Sequence, residues 1–287
     1  MTPARTRGEP LPVEVLRALR NRIGAIDSVS PLGGLSGRTV AVARGQRGTL
    51  VAKGPAAATE VRVATRLAPL FREAGIRVAE SAVVRTANAG QWLVLEYLPQ
   101  ALPRDRWGAD ADVIDVLRAL HSLRTEPIAR IRRRFRPRWD ASLTTAAVTA
   151  LHGGQDLVDR IVRLSERCQY LFDPLAVVSA DPNPLNWRLD AAGSPVLIDW
   201  ERLTLGHPAI DLGILLPGLG EPREAERVAN RYGSRDVTAT DILRAKAWSL
   251  VELAASAPAG GEASAMIRSL RDDIIDRLAT VSLIRSD

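Results

Sequence analysis

The hydrophobic pattern of this chain changes period once, near residue 100, and that change restricts it to a mixed architecture in two parts. Upstream, β-like runs at Ser28–Pro31, Thr39–Arg44 and Thr49–Lys53 are separated by Gly33-Gly34-Leu35-Ser36-Gly37-Arg38 and by Gly45-Gln46-Arg47-Gly48, the composition of turns between strands. Ile76–Arg85 and Gln91–Tyr97 read as further strands, and Val13–Ile26 and Ala56–Ala74 as helices. Downstream of Pro103 the period becomes helical at Asp110–Leu123, Asp156–Tyr170, Ala239–Ala255 and Glu262–Leu278, and only Leu175–Ser179 and Pro195–Ile198 stay strand-like. The pattern predicts an α+β chain with a small sheet and one inserted helix over 1–98, of which 1–12 is a polar leader, and a larger helical region over 99–287.

Composition narrows the function classes. A length of 287 residues with 46% hydrophobic content supplies an ordinary core and excludes global disorder. No apolar run reaches the roughly 18 residues of a membrane span, and Met1–Pro12 lacks an apolar signal core, so a cytoplasmic location without a membrane partner is expected. The single cysteine, Cys168, and the three histidines, His121, His152 and His207, make no thiolate or imidazole zinc cluster. Cys168 and His207 read as structural, and His121 as a packed helix residue.

The net charge of +6 would ordinarily raise nucleic acid as a partner. Its source is arginine; lysine occurs only at Lys53 and Lys246. An ammonium and a guanidinium are not interchangeable, so a lysine that survives in this background points to a chemical need.

The densest signal is Ser179-Ala-Asp181-Pro-Asn-Pro-Leu-Asn186-Trp, followed by Val196-Leu-Ile-Asp199-Trp-Glu201. An aspartate ending one apolar run, an asparagine five residues on and an aspartate ending a second run can bring three oxygen-bearing side chains to one rim. That donor set suits Mg²⁺, which takes one or two protein carboxylates and completes its shell with phosphate and water. Asp181 would then be free to accept a proton from a hydroxyl. The alternative is structural: Asp181 and Asn186 as turn formers beside Pro182 and Pro184, and Asp199 as a helix cap.

The pattern D-x-x-x-x-N, an apolar strand ending in I-D-W-E, then Gly206-His-Pro-Ala-Ile-Asp211-Leu, resembles the aminoglycoside phosphotransferase and choline kinase-like superfamily. The resemblance spans most of the chain and implies a two-lobed protein-kinase-like fold, with a small antiparallel N-terminal lobe and a larger helical C-terminal lobe. It implies Asp181 as the catalytic-loop aspartate, Asn186 and Asp199 as metal ligands, and Asp211 as the brace behind the loop. The family usually writes the loop H-G-D; here Ser179-Ala180 precede the aspartate, and Ser179 keeps only a hydroxyl to support it.

The same resemblance implies sites in the N-terminal half. Lys53, at the end of Leu50-Val-Ala-Lys53, matches the strand lysine that meets the α- and β-phosphates, and Glu60, the first acid after it, its carboxylate partner on the next helix. Gly34, Ser36 and Gly37 lie where a glycine-rich loop would cover the phosphates, although a glycine-rich hairpin turn needs no ligand. Glu96 and Leu98 flank the hinge whose backbone would meet the adenine. ATP or GTP and Mg²⁺ are the implied cofactors, and a small molecule with a hydroxyl is the implied acceptor.

The acceptor is not legible. Arg130-Ile-Arg-Arg-Arg-Phe-Arg-Pro-Arg-Trp139 interleaves cations with aromatics, as a nucleic-acid surface does, but equally suits a solvated segment or the grip on an anionic acceptor. A polycationic aminoglycoside would need a local acidic pocket, for which Glu221, Glu224, Glu226, Glu252 and Asp272-Asp273 are the candidates. The expectation is an antibiotic-inactivating O-phosphotransferase. The alternatives are a metabolic sugar, amino-alcohol or nucleoside kinase, an inactive nucleotide sensor suggested by Ser179, and a nucleic-acid-binding module.

Overall fold

The computed structural model describes residues 11–32, 38–88, 90–257 and 262–283. The chain opens with helix α1 (Val13–Ile23), whose Val15, Leu19 and Ile23 form a buried stripe at helical spacing. Strands β1 (Ile26–Leu32), β2 (Thr39–Gly45), β3 (Gly48–Gly54), β4 (Ser81–Arg85) and β5 (Gln91–Glu96) form one antiparallel sheet in the order β1-β2-β3-β5-β4. The α1 stripe packs on Ala41, Ala43, Ala52, Trp92 and Val94 of this sheet, a small core of its own. Gly54 ends β3 beside the Trp92 ring, which a Cβ at that position would overlap at 2.2 Å. That close approach carries the chain past the ring directly after Lys53.

The helical reading of Ala56–Ala74 holds, with an interruption at Pro69. Helix α2 (Ala58–Arg62) gives way to a π-helical turn at Val63–Leu67 before α3 (Ala68–Glu73). Pro69 has no N–H for the i−4 carbonyl, and the turn before it widens to an Ala68 N–H to Val63 C=O bond. The apolar face of this unit, Val63, Leu67 and Phe71, packs into the larger core that also holds the buried residues after 102. Phe71 meets Trp200 edge-on at 5.0 Å between ring centroids, which fastens the unit to the loop around Asp199. The strand reading of Ile76–Arg85 is corrected at its start, since only Ser81–Arg85 pairs; Ile76 and Val78 alternate inward because they pack in the larger core.

Short strands β6 (Gln100–Ala101), β8 (Trp187–Leu189) and β9 (Pro195–Leu197) form a second sheet, and β7 (Ala176–Val178) pairs with β10 (Thr204–Gly206). Around them stand α4 (Ala111–His121), α5 (Glu126–Ala129), α6 (Ala141–Ala150), α7 (Gln155–Cys168), α8 (Ala209–Leu215), α9 (Pro222–Tyr232), α10 (Ala239–Ser256), α11 (Glu262–Ser269) and α12 (Arg271–Leu283). The single helix expected over Glu262–Leu278 is therefore two, broken at Leu270. Helices α8 and α9 occupy a stretch that the sequence marks only with Gly and Pro. Pro222 opens α9, where a missing N–H costs nothing. Gly213 of α8 lies against the α10 backbone, and a Cβ there would come within 2.7 Å of Lys246 N, so the two helices approach at glycine distance.

No helix among the described residues is long and apolar enough to cross a membrane.

Candidate active site

Lys53, Glu60 and Asp199, from three separate elements, form one ionic group. The Lys53 Nζ lies 2.8 Å from Glu60 Oε1 and 2.7 Å from Asp199 Oδ2. Strand β3 presents the lysine, and the first turn of α2 presents Glu60, whose second oxygen accepts from the Ala57 N–H at 2.9 Å. Both side chains are buried. Burial alone would lower the lysine pKa; the Glu60 and Asp199 carboxylates outweigh it and hold the ammonium above its ordinary value. Asp199 follows β9 in the left-handed region, at φ 66°, and its Oδ1 accepts from the Glu201 N–H at 3.3 Å. It is not a helix cap, since no helix follows it.

Asp181 follows β7 in a loop with a second left-handed residue, Ala180 at φ 55°. Asn183 Nδ2 donates to one carboxylate oxygen of Asp181 at 2.8 Å, and Asn186 Nδ2 donates to the other at 3.0 Å and to the Asp181 carbonyl at 2.9 Å. Asn186 thus spends its nitrogen on Asp181 and keeps its amide oxygen for another partner. Burial pushes the Asp181 pKa up to about 6; Asn183 and the Arg202 charge oppose the shift, and Asp199 adds to it. A carboxylate with a pKa close to neutrality is matched to taking a proton from a hydroxyl.

The loop is held from behind. Asp211, fully buried in α8, accepts the backbone N–H groups of Ser179 at 2.8 Å and Ala180 at 2.7 Å, one on each oxygen. Charged acceptors of this kind offset the backbone strain of a non-glycine residue at positive φ, on the order of 1–2 kcal/mol. The Ser179 hydroxyl is buried and has no hydrogen-bond partner among the described residues.

Asp181, Asn186 and Asp199 offer oxygen donors only, and no group of three or more His, Cys, Asp or Glu among the described residues could hold a metal. A carboxamide with carboxylates, short of a full protein cage, matches Mg²⁺ completed by phosphate and water and does not match zinc.

A family profile described as "Phosphotransferase enzyme family" matches residues 28–248. The chain belongs to that family. This phosphotransferase carries its site on a fold shared with solved structures of low sequence identity. A spectinomycin phosphotransferase in complex with ADP and spectinomycin is 15% identical with a TM-score of 0.65, over 94% of this chain and 98% of that one. The GDP complex of an aminoglycoside 2'-phosphotransferase is 14% identical at 0.64, over 94% and 98%. A choline kinase from Streptococcus pneumoniae is 16% identical at 0.56, over 91% and 99%. No curated protein sequence matches.

The remaining sites expected in this phosphotransferase fall in different places. Gly34, Ser36 and Gly37 lie outside the described residues. Glu96 pairs with Leu50 across the sheet and binds Arg77 at 2.7 Å through its side chain, while Arg77 also reaches Asp190 at 3.3 Å. Leu98 is buried at the end of this connection.

Several residues had no prior expectation as parts of the site. His121 Nε2 lies 3.1 Å from Asp211 Oδ2, and its Nδ1 lies 3.0 Å from the Tyr232 hydroxyl. Thr59 donates to the Glu201 carbonyl at 2.7 Å, and Arg38 pairs with the Glu201 carboxylate at 2.8 Å, so the sheet and α2 are tied to the Asp199 loop twice more. Arg202 lies over the Phe135 ring, 3.9 Å from its centroid, and pairs with Glu252 at 2.5 Å. Trp139 is buried and donates to Thr144 at 3.1 Å. Neither aromatic of the arginine run is free to stack on a base, which removes the main argument for nucleic acid.

Proposed function

We propose that this phosphotransferase moves the γ-phosphoryl group of ATP or GTP to a hydroxyl of a small molecule, in a cleft between residues 1–98 and 99–287. The observation that carries the reading is Lys53 held between Glu60 and Asp199, which sets a fixed cation beside a candidate metal ligand.

Asp181 orients the acceptor hydroxyl and takes its proton as the oxygen attacks the γ-phosphorus. Lys53, braced by Glu60, neutralises α- and β-phosphate charge. Asn186, through its amide oxygen, and Asp199 would hold Mg²⁺, which when bound neutralises charge on the β- and γ-phosphates. The Glu96–Leu98 connection receives the base through its backbone. Asp211 keeps the loop in place through the Ser179 and Ala180 N–H groups, doing what the absent histidine would otherwise help to do, while the Ser179 hydroxyl expected to support the loop makes no hydrogen bond among the described residues. The nucleotides named in the related structures, ADP and GDP, support the cofactor class.

Two acceptor classes fit the reading. The spectinomycin and aminoglycoside enzymes among the related structures support an antibiotic. A metabolic hydroxyl compound is favoured by Arg134 and Arg136, which line a cavity together with Phe135 and Glu252, the two side chains that Arg202 contacts.

The test is nucleotide consumption across a panel of hydroxyl compounds, with the phosphorylated product detected by mass. Asp181→Asn and Asp199→Ala should each abolish product. Full activity in either variant toward an identified acceptor would overturn the reading. Nucleotide binding with no transfer to any acceptor would favour the inactive sensor instead.

A further inference from the structure

The arginine run of residues 130–138 builds one wall of a cavity of about 600 Å³, lined among others by Arg134, Phe135, Arg136, Arg138, Asp140 and Glu252. The run is fixed in place. Thr204 donates to the Phe135 carbonyl at 2.6 Å, Trp248 to the Arg138 carbonyl at 3.1 Å and Gln169 to the Trp139 carbonyl at 3.3 Å. A segment anchored at three carbonyls presents its side chains in a preorganised way, and preorganised cations lose little entropy when an anion binds.

Both carboxylates of the cavity are already committed. Asp140 caps α6 by accepting from Leu143 N at 2.9 Å and pairs with Arg138 at 3.0 Å. Glu252 pairs with Arg202. The cations are in excess. Arg134 is oriented by the Ala129 and Ile131 carbonyls at 2.9 and 3.2 Å, which fix its geometry, and no carboxylate pairs with it among the described residues. Its Nε is buried and has no hydrogen-bond partner among the described residues, and the same is true of Arg202 Nε. Arg136 is exposed, and no carboxylate pairs with it among the described residues. A polycation would meet spent carboxylates and free guanidinium groups here, whereas carboxylate or phosphate oxygens would meet donors suited to them.

Arg202 connects this cavity to the catalytic loop. It stacks on Phe135 and pairs with Glu252, both lining residues, and its charge also acts on Asp181. We infer that the acceptor is a small hydroxyl compound bearing a carboxylate or phosphate group, which the Arg134 and Arg136 guanidinium groups hold while a hydroxyl is presented to Asp181. The inference rests on the phosphoryl-transfer reading above for the hydroxyl, and on the arginine wall alone for the anion.

Binding of four matched hexoses to the full chain, followed by ligand-observed NMR, tests it: glucose 6-phosphate, glucuronate, glucose and glucosamine. At least one anionic sugar should bind tenfold or more tighter than glucose, and glucosamine more weakly than glucose. The two anionic arms tell phosphate from carboxylate. Arg136→Gln, which has no internal partner to lose, and Arg134→Gln/Arg136→Gln should reduce the anionic preference stepwise. Equal binding of all four, tightest binding of glucosamine, or an anionic preference unchanged in both variants overturns the inference. A phosphorylated neutral or cationic acceptor without anionic preference leaves the transfer reading standing and sinks this one. An anionic preference without any Asp181-dependent product does the reverse.

Discussion

His121 Nε2 and Asp211 Oδ2 stand 3.1 Å apart in the core, 90 residues apart in the chain, and behind them the Tyr232 hydroxyl meets His121 Nδ1 at 3.0 Å. The tautomer with its proton on Nε2 satisfies both partners, as donor to Asp211 and acceptor from Tyr232. Asp211 therefore accepts three hydrogen bonds, two of them from the Ser179 and Ala180 amides that set the position of Asp181. Asp211→Asn turns one acceptor oxygen into a donor facing an amide, and should destabilise the fold by about 2 kcal/mol. His121→Phe removes one of the three bonds and should cost about 1 kcal/mol. Denaturant unfolding gives the order. Turnover should fall in the same order with little change in the KM for nucleotide, because neither residue touches the nucleotide side; equal stability of both variants to the parent would refute the bracing role.

Lys53 is the only cation within ion-pair distance of Glu60 among the described residues. Lys53→Met would leave Glu60, with 3% of its side chain exposed, as a buried carboxylate without a counter-ion. Removing one partner of a buried pair costs about 3–5 kcal/mol. The double variant Lys53→Met/Glu60→Gln should recover a large part of that loss in stability while remaining inactive. A double variant as unstable as the single one would show that the two charges are not coupled. Lys53→Arg should fail as well, since a planar guanidinium does not fit the compact position between two carboxylates.

Legibility in the sequence followed the distance over which each feature is specified. Lys53, Glu60, Asp181, Asn186 and Asp199 sit at ends of strands or in the first turn of a helix, where a short local pattern sets their direction, and the structure brings all five to one region. His121 belongs to a helix whose periodicity marks it as ordinary core, and Tyr232 to α9, which the sequence marks only with Gly and Pro, so only their meeting across 111 residues puts them behind Asp211. Arg202 follows Asp199 closely, yet its stacking on Phe135 depends on a segment 67 residues earlier that has no regular structure. The extended segment around Ile76 and Val78 alternates like a strand because alternate residues face the core, and alternation alone does not distinguish packing from pairing.

Cys168 lies at the end of α7 with no exposed surface, its sulfur 3.9 Å from the Arg244 carbonyl. Burial pushes its thiol pKa up to about 12, against the opposing charge of Arg244. The thiolate is the reactive form, so a disulfide reagent should leave the native protein unlabelled at neutral pH and label it fully in denaturant. The native labelling rate then reports opening of the core between α7 and α10. Stoichiometric labelling within seconds in native buffer would contradict this burial.

Lys246, the second of the two lysines, has a different reason for being lysine. It is buried in α10 with no carboxylate paired to it among the described residues, donating at 2.7 Å to the Leu216 carbonyl at the C-terminal end of α8. Burial pulls its pKa down to about 8 from an ordinary 10.5. Between those values the unfolded chain holds the proton that the folded chain has released, so stability rises as pH increases from about 8 to about 10.5. Below pH 8 both states are protonated, and the folded state carries the full burden of the buried charge, on the order of 3 kcal/mol. Lys246→Met removes that burden and also the bond to Leu216, worth about 1 kcal/mol. The variant should therefore be more stable than the parent at pH 7, by roughly 1–2 kcal/mol after both effects, and should lose the alkaline rise in stability. Denaturant midpoints at pH 7 and pH 10 measure both; a parent whose midpoint does not rise with pH, or rises equally in the variant, would assign the charge elsewhere.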